Sequence, residues 1–126
     1  MPFFHAIVWV DHHTAQVLQF DAAQVLAQQV REHVHCTRQH GSNVRSEHEF
    51  FGEVCDATKG VAELLVVGSH TAQADFRHYV EKHRAEVALR IVGWETVGHM
   101  STNELVATAR RYFSVHAGMA APMKIG

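Results

Sequence analysis

Hydrophobic and polar positions in the first third of the chain predict a series of short strands. Residues 5–11 are almost fully apolar, as in a central strand that is buried on both faces of a sheet. Residues 14–20 alternate between apolar and polar positions and are expected to return antiparallel after a turn at residues 11–13. Residues 24–37 fit either an amphipathic helix or a third strand, and the pattern alone leaves both alternatives open.

The second half of the chain carries one pattern twice: an apolar run, a glycine turn and a segment with apolar residues at helical spacing. Residues 63–71 contain the first run and residues 90–99 the second. Two consecutive strand–helix units imply parallel strands covered by helices. In such sheets, ligands bind beyond the carboxyl ends of the strands. We therefore expect the turns at Gly68 and Gly98 to border any site.

Serine and glutamate at a spacing of three residues mark two helix starts. Ser46 with Glu49 and Ser101 with Glu104 each have the spacing of a capping box, in which the serine is the N-cap. The first of these helices is expected to end near Gly60, which follows a lysine.

The predicted order of elements is β-β-β-α-β-α-β-α, which matches an α/β, ribonuclease-H-like architecture with a mixed five-stranded sheet. Residues 40–43 are predicted to form a loop, by composition. We expect a single domain over residues 1–126, with its core in residues 5–113 and a frayed tail over residues 114–126.

Composition narrows the class of protein. The 126 residues are 47% hydrophobic, which is enough to form one core without stabilising disulfides or metal ions. A net charge of −2 provides no overall attraction to nucleic acid. Cys36 and Cys55 have neither metal-binding nor redox spacing and are expected to be reduced thiols. The apolar run at the start ends at Asp11, too early for a signal peptide or a membrane span. We expect a cytoplasmic protein without membrane contacts.

Carboxylates suggest one candidate chemistry. Ribonuclease-H-like nucleases hold two divalent cations with carboxylates from strand 1, the first helix and a later strand end. Asp11 would be the strand 1 ligand here, and Glu49 or Glu53 the ligand from the helix, but strand 4 ends without a carboxylate. The alternative is that Asp11 caps the turn by binding its amides. A metal-dependent nuclease or phosphoesterase is therefore an alternative hypothesis.

Histidines suggest a second chemistry, because the chain contains twelve of them. Four are candidates for a metal-binding or pH-responsive site: His12, His13, His33 and His35. His78 and His83 are five residues apart and are expected on different faces of their helix. Spacing provides no third ligand, so solvated or hydrogen-bonded histidines are the alternative. No cofactor is predicted.

Anion binding is the third chemistry. The predicted helix after strand 4 begins at Gly68, Ser69, His70 and Thr71, where free backbone amides and the helix dipole favour phosphate. A second group lies in the locally basic stretch 31–48 and consists of Arg38, His40 and Arg45. The alternatives are an ordinary turn with a capping hydroxyl, from Ser69 or Thr71, and a solvated loop.

Four stretches carry a resemblance to a known family: residues 6–15, 48–51, 64–72, and 92–99 continuing through 109–113. They resemble small proteobacterial proteins usually labelled "translational machinery protein". Those proteins are similar to the central domain of archaeal and eukaryotic peptide-chain release factors and of Pelota. The resemblance implies a ribonuclease-H-like fold, a strand within residues 24–37, and association with the ribosome, ribosomal RNA or tRNA.

The sequence departs from that family pattern at two places. In release factors, a Gly-Gly-Gln loop before the first helix promotes peptidyl-tRNA hydrolysis, whereas residues 40–46 here lack it and no Gly-Gly pair occurs in the chain. The turn after strand 4 keeps Gly68 and Ala72 but has Gln73 where related sequences have lysine. The leading hypothesis is therefore a non-enzymatic accessory protein of translation that contacts RNA through residues 38–45 and 68–71.

Overall fold

The structure, a computed structural model, describes residues 3–32 and 42–120, and the side chains of all of these except 42–45 and 116–120. Its elements in chain order are β1 (His5–Val10), β2 (Thr14–Phe20), β3 (Val25–Arg31), α1 (Ser42–Ala57), β4 (Glu63–Gly68), α2 (His70–His83), the single turn α3 (Ala85–Ala88), β5 (Ile91–Thr96) and α4 (Thr102–Ala120). Within these described ranges, no helix is both long enough and apolar enough to cross a membrane.

The five strands form one mixed sheet in the order β3-β2-β1-β4-β5. β2 is antiparallel to both β1 and β3, whereas β1, β4 and β5 run parallel. The central position of β1 explains its run of buried residues, because both of its faces are covered. The predicted α/β, ribonuclease-H-like fold is confirmed.

The ambiguous segment 24–37 forms a strand where the structure describes it. β3 pairs with β2 over seven residues, from Val25 opposite Phe20 to Arg31 opposite Thr14. Six of its seven residues are exposed, and only Val30 is buried. The apolar residues at helical spacing in this segment, which had left a helix open, therefore do not form a buried helix face. Residues 33–37 of this segment lie outside the described residues.

Helices cover both faces of the sheet. On one face, α1 packs against β2 and β3 and α2 packs against β1, β4 and β5, and on the other face α4 packs against β1, β2 and β4. Buried side chains of the first face include Phe50, Phe51, Phe76 and Val80, and those of the second include Ile7, Leu65, Leu105 and Phe113. The apolar stripes that predicted α2 and α4 are thus the stripes that are buried.

The predicted start of α1 is wrong by one turn. The helix begins at Ser42, and Ser46 lies inside it with only 3% of its surface exposed. Ser46, Phe50 and Val54 follow one another at a spacing of four residues and are all buried, so Ser46 belongs to the packed face of α1. Part of the predicted loop 40–43 is accordingly helical, while residues 40 and 41 lie outside the described residues. The expected end is confirmed, because α1 stops at Ala57 and Gly60 has a φ of 88°.

The predicted capping box of α4 is confirmed, but the predicted end of the helix is not. The Ser101 hydroxyl accepts from the Glu104 amide at 3.2 Å, and the Glu104 carboxylate accepts from the Ser101 amide at 2.8 Å. The helix continues to Ala120, into the stretch 114–126 that was expected to be a frayed tail. Once its first turns are packed on the sheet, a helix can continue for another turn without burying apolar side chains. The loss of regularly spaced apolar residues after Ser114 therefore did not mark the end of α4. The last six residues, 121–126, lie outside the described residues.

Candidate nucleic-acid interface

The carboxyl ends of the parallel strands bring the two predicted glycine turns to one edge of the sheet. Gly68 ends β4 opposite Val10 of β1 and has a φ of 150°. A Cβ atom at Gly68 would lie 2.1 Å from the carbonyl oxygen of Val10, so only glycine fits this close approach. At the second turn, the Gly98 carbonyl accepts a hydrogen bond from the Trp9 indole at 3.3 Å.

Ser69 is the N-cap of α2, as one of the two sequence alternatives predicted. Its hydroxyl accepts from the backbone amide of Ala72 at 3.3 Å. Thr71, the other alternative, has a different partner, because its hydroxyl lies 2.9 Å from Nε2 of His12. The turn after β1 is thereby tied to the first turn of α2.

The two histidines of the turn between β1 and β2, His12 and His13, have hydrogen-bond partners. His12 contacts Thr71, and Nδ1 of His13 lies 2.6 Å from the Glu32 carboxylate at the end of β3. Among the side chains that the structure describes, no group of three or more histidine, cysteine, aspartate or glutamate residues is arranged to hold a metal ion. The two remaining candidates, His33 and His35, lie outside the described ranges.

The candidate carboxylates come from separate elements. Asp11 follows β1, and its amide donates to the Thr14 carbonyl at 2.9 Å to close the tight turn. Glu49 and Glu53 lie on the exposed face of α1, and Glu53 borders an open cleft between that helix and the β2–β3 ladder. A nuclease or phosphoesterase that uses Asp11 with Glu49 or Glu53 stays a hypothesis.

Gln73, which stands where related sequences have lysine, is a buried polar residue. Its side-chain amide donates to the Gly68 carbonyl at 2.9 Å and to the Thr96 hydroxyl at 3.2 Å. These bonds join the end of β4, the first turns of α2 and the end of β5. The burial of Gln73 could have been predicted from the sequence, because Gln73 precedes Phe76 and Val80 at helical spacing on the buried face of α2.

A cleft of about 250 Å³ opens between α2 and β5, beside the start of α2. Its lining residues are His70, Gln73, Ala74, Arg77, Trp94 and Thr96. The helix residues share one face because they are three or four positions apart, and Trp94 and Thr96 share one face of their strand. We call this feature the α2–β5 cleft.

The chemistry of the α2–β5 cleft is cationic and aromatic. The guanidinium carbon of Arg77 lies 5.2 Å from the centre of the Trp94 ring, and its Nε donates to the Glu81 carboxylate at 3.2 Å on the outer side. His70 is exposed at the first position of α2. No carboxylate belongs to the described lining, so the cleft offers a planar cation, an aromatic face and hydrogen-bond donors.

A second cluster lies between α1 and α2. The rings of His48, Tyr79 and His83 lie 5.1–5.3 Å apart, and His78 borders the same cleft, contrary to the expectation that His78 and His83 would be separated. Burial, followed by the nearby Asp75 carboxylate, raises the pKa of Glu47 above its ordinary value. Lys82 borders the same cleft as Glu47 and Asp75, so this cleft contains charges of both signs.

The second predicted anion-binding group, in the basic stretch 31–48, stays a prediction. Arg38 and His40 lie outside the described residues, and Arg45 lies in α1 within the part whose side chains the structure does not describe. The first group is described in full. Gly68 and Ser69 shape the start of α2, His70 borders the α2–β5 cleft, and Thr71 contacts the turn after β1.

No protein-family profile and no curated protein sequence matches the chain. Solved structures do match. Archaeoglobus fulgidus Pelota is 18% identical with a TM-score of 0.62, over 85% of this chain and 30% of that protein. The archaeal translation termination factor aRF1 is 14% identical with a TM-score of 0.62, over 96% of this chain and 40% of that protein.

A eukaryotic structure matches in the same way. Dom34 of S. cerevisiae, described as a translation termination-like factor involved in RNA quality control, is 12% identical with a TM-score of 0.55 over 97% of this chain. The chain spans about 30–40% of the length of these proteins. It therefore has the fold of one part of the release-factor-like proteins Pelota, aRF1 and Dom34.

Proposed function

We propose that this protein is a non-enzymatic accessory protein of translation that acts in the cytoplasm by binding ribosomal RNA or tRNA. In this proposal, it belongs with the small proteobacterial "translational machinery" proteins that the sequence resembles. The observation that carries the proposal is the α2–β5 cleft, where Arg77 from the middle of α2 lies over Trp94 of β5. The fold shared with part of Pelota and aRF1 supports it.

The cleft suits a nucleotide because it combines a phosphate contact with a stacking surface. Arg77, in the middle of α2, supplies a planar cation that can bind phosphate oxygens, and His70, at the first position of the helix, adds a second donor. Amides in the first turn of α2 and the helix dipole favour an anion there. A base can stack on the Arg77–Trp94 pair without being read for its sequence.

The absence of Gly-Gly-Gln supports a binding role rather than peptide release. Release factors need that tripeptide for peptidyl-tRNA hydrolysis, and this chain has no Gly-Gly pair at all. We therefore expect no hydrolysis of peptidyl-tRNA on programmed ribosomes at any protein concentration that saturates binding. Release above the rate without protein would contradict the non-enzymatic part of the proposal.

Cosedimentation with 70S ribosomes tests the binding part. We expect association at about 50 mM salt that weakens steeply by about 200 mM, as phosphate contacts require. Arg77→Ala should weaken binding roughly three- to tenfold and lower the salt slope by about one. Lys59→Ala is the matched control, because it removes an equally exposed positive charge from the opposite end of the sheet.

Two results would contradict the proposed function. One is the absence of ribosome, ribosomal RNA or tRNA binding at low salt, where phosphate contacts are strongest. The other is equal weakening by Arg77→Ala and Lys59→Ala, which would mean that overall charge and not the α2–β5 cleft determines binding. Circular dichroism of both variants would show that each retains its fold.

A further inference from the structure

A second pocket lies at the opposite edge of the sheet, on the face covered by α4. It has a volume of about 460 Å³ and opens where β1 begins, β2 ends and the middle of α4 crosses them. Its lining residues are His5, Phe20, Asp21, Ala22, Arg110, Phe113 and Ser114. We call it the amino-edge pocket.

The floor of the amino-edge pocket is made of stacked rings. The His5 ring lies 4.1 Å from the Phe113 ring at an interplanar angle of 29°, and Phe20 lies 6.0 Å from Phe113. Phe20 and Phe113 are only 3% and 4% exposed, so the accessible ring of the floor is that of His5, whose side chain is 25% exposed. Glu63 fixes the His5 ring from the side, because its carboxylate lies 3.0 Å from Nε2. Phe4 extends the aromatic surface outward, since its ring lies 4.8 Å from His5 and the residue is 59% exposed.

The rim of the pocket is cationic. The guanidinium of Arg110 lies 5.9 Å from the centre of the Phe20 ring and donates to the backbone carbonyl of Asp21 at 2.9 Å. The Asp21 carboxylate faces its own turn, where it accepts from the amides of Ala23 and Gln24 at 2.8 and 2.7 Å. These two amides, and to a smaller extent the charge of Arg110, lower the pKa of Asp21 below its ordinary value.

The α4 side of the pocket is positively charged, whereas the Asp21 and Glu63 carboxylates lie on the strand side. From Leu105 to Ser114, α4 carries two arginines, Arg110 and Arg111, and no carboxylate. Arg111 is exposed one position beyond the pocket. A ligand that places a planar ring on the floor and a negative charge beside α4 therefore satisfies both features. An apolar side chain of a partner protein would use the floor and leave the arginines unused.

We propose that the amino-edge pocket binds a nucleobase of single-stranded RNA, with its ring on the aromatic floor and its phosphate beside Arg110. The choice of RNA as the source of the base rests on the proposed function. The pocket is separate from the α2–β5 cleft, which lies at the other end of the strands and on the other face of the sheet. Two such sites would let the protein hold an RNA strand at two points.

The test is a titration of the whole protein, followed by NMR, with adenosine monophosphate and with hexa-adenylate. We expect chemical-shift changes at Phe20, Arg110 and Phe113, and tighter binding of the hexanucleotide. Ser114→Trp should fill the pocket from an exposed helix position and abolish these changes without removing core contacts. Arg110→Ala should weaken binding about five- to tenfold.

The matched control is Arg111→Ala, which removes the same charge from the next position and should weaken binding less than about twofold if the pocket rather than general charge is responsible. Shifts that persist in Ser114→Trp would overturn the assignment. Binding of uncharged N-acetyltryptophanamide as tightly as adenosine monophosphate would overturn it in favour of an apolar protein side chain. Hexanucleotide binding no tighter than that of the mononucleotide would overturn the choice of RNA.

This experiment separates the pocket from the proposed function. Arg77→Ala should leave the shifts at Phe113 unchanged, since the α2–β5 cleft does not touch the amino-edge pocket. If Ser114→Trp abolishes those shifts while ribosomes still fail to bind the unaltered protein, the pocket stands and the proposed function falls. If ribosomes bind and no shifts occur at the pocket, the pocket assignment falls alone.

Discussion

The carbonyl oxygen of Val10 lies so close to Gly68 that a Cβ atom added to the glycine would stand 2.1 Å from it. The obstacle is backbone in the centre of the sheet, so it cannot move aside. Gly68 also has a φ of 150°, a conformation that is strained for any residue with a side chain. Close pairing of β1 with β4 thus depends on this glycine.

Gly68→Ala is expected to lower the free energy of unfolding by at least about 2 kcal/mol, from backbone strain and the clash with Val10 together. Gly98→Ala is the matched control. No atom lies within 4 Å of a Cβ placed at Gly98, so its effect should be within about 0.5 kcal/mol. Urea denaturation of both variants measures the difference, and equal stabilities would contradict the described β1–β4 geometry.

Cys55 is expected to be unreactive in the folded protein. It is 2% exposed, and burial raises the pKa of its thiol to about 12. At pH 8, about one molecule in ten thousand would carry the thiolate that reacts with disulfide reagents. In a Cys36→Ser background, labelling by a chromogenic disulfide should therefore follow unfolding in denaturant. Rapid labelling without denaturant would show that the α1 packing is wrong.

Glu47 should destabilise the protein at neutral pH. Its pKa is raised in the folded state by burial and by Asp75, so the folded state disfavours the ionised carboxylate. This penalty is present above the folded pKa and disappears as the pH falls below the pKa of the unfolded chain. Glu47→Gln is expected to stabilise the protein by roughly 0.5 kcal/mol at pH 7, a small gain because solvent screens the charge, and by nothing near pH 3.

The control for this pH dependence is Glu81→Gln on the exposed side of α2. The Glu81 carboxylate accepts from Arg77 at 3.2 Å, so neutralising it removes a favourable contact and should provide no gain at pH 7. Denaturant unfolding at the two pH values measures both variants. Loss of stability in Glu47→Gln at pH 7 would contradict the assigned direction of the pKa shift.

Ser101 should contribute about 1 kcal/mol to stability as the N-cap of α4. Its hydroxyl accepts from the Glu104 amide, and Ser101→Ala leaves that donor without its side-chain partner. Ser101→Asp keeps an acceptor at the cap and should restore most of the loss. Thermal unfolding compares the three proteins. An alanine variant as stable as the aspartate variant would mean that solvent replaces the cap at no cost.

Local signals predicted most elements of the fold. β1, β4 and α2 follow from apolar runs and a cap, and the Ser101–Glu104 box marks the start of α4 because its geometry involves only neighbouring residues. The prediction of where α1 starts was wrong for an equally local reason. Ser46 has the spacing of a cap, but a small side chain also fits the tight contact between a helix and a sheet, and sequence alone does not separate these two uses.

The sites were harder to predict because they join distant parts of the chain. Gly68, Ser69 and His70 were found because a strand–helix turn is contiguous in sequence. Trp94 was missed as the partner of Arg77, since the two meet only through the parallel pairing of β4 and β5. The amino-edge pocket could not be foreseen at all, because its rings come from β1, β2 and α4.

The exposed position of β3 has a consequence for motion in the native protein. The strand is attached to β2 along one side, and Val30 is its one buried residue, so little apolar contact opposes its release. We expect the amide hydrogens of β3 to exchange with solvent deuterium much sooner than those of β1, which lies at the centre of the sheet. Detachment of this outer strand would bare the hydrogen-bonding edge of β2 while the rest of the molecule stays folded.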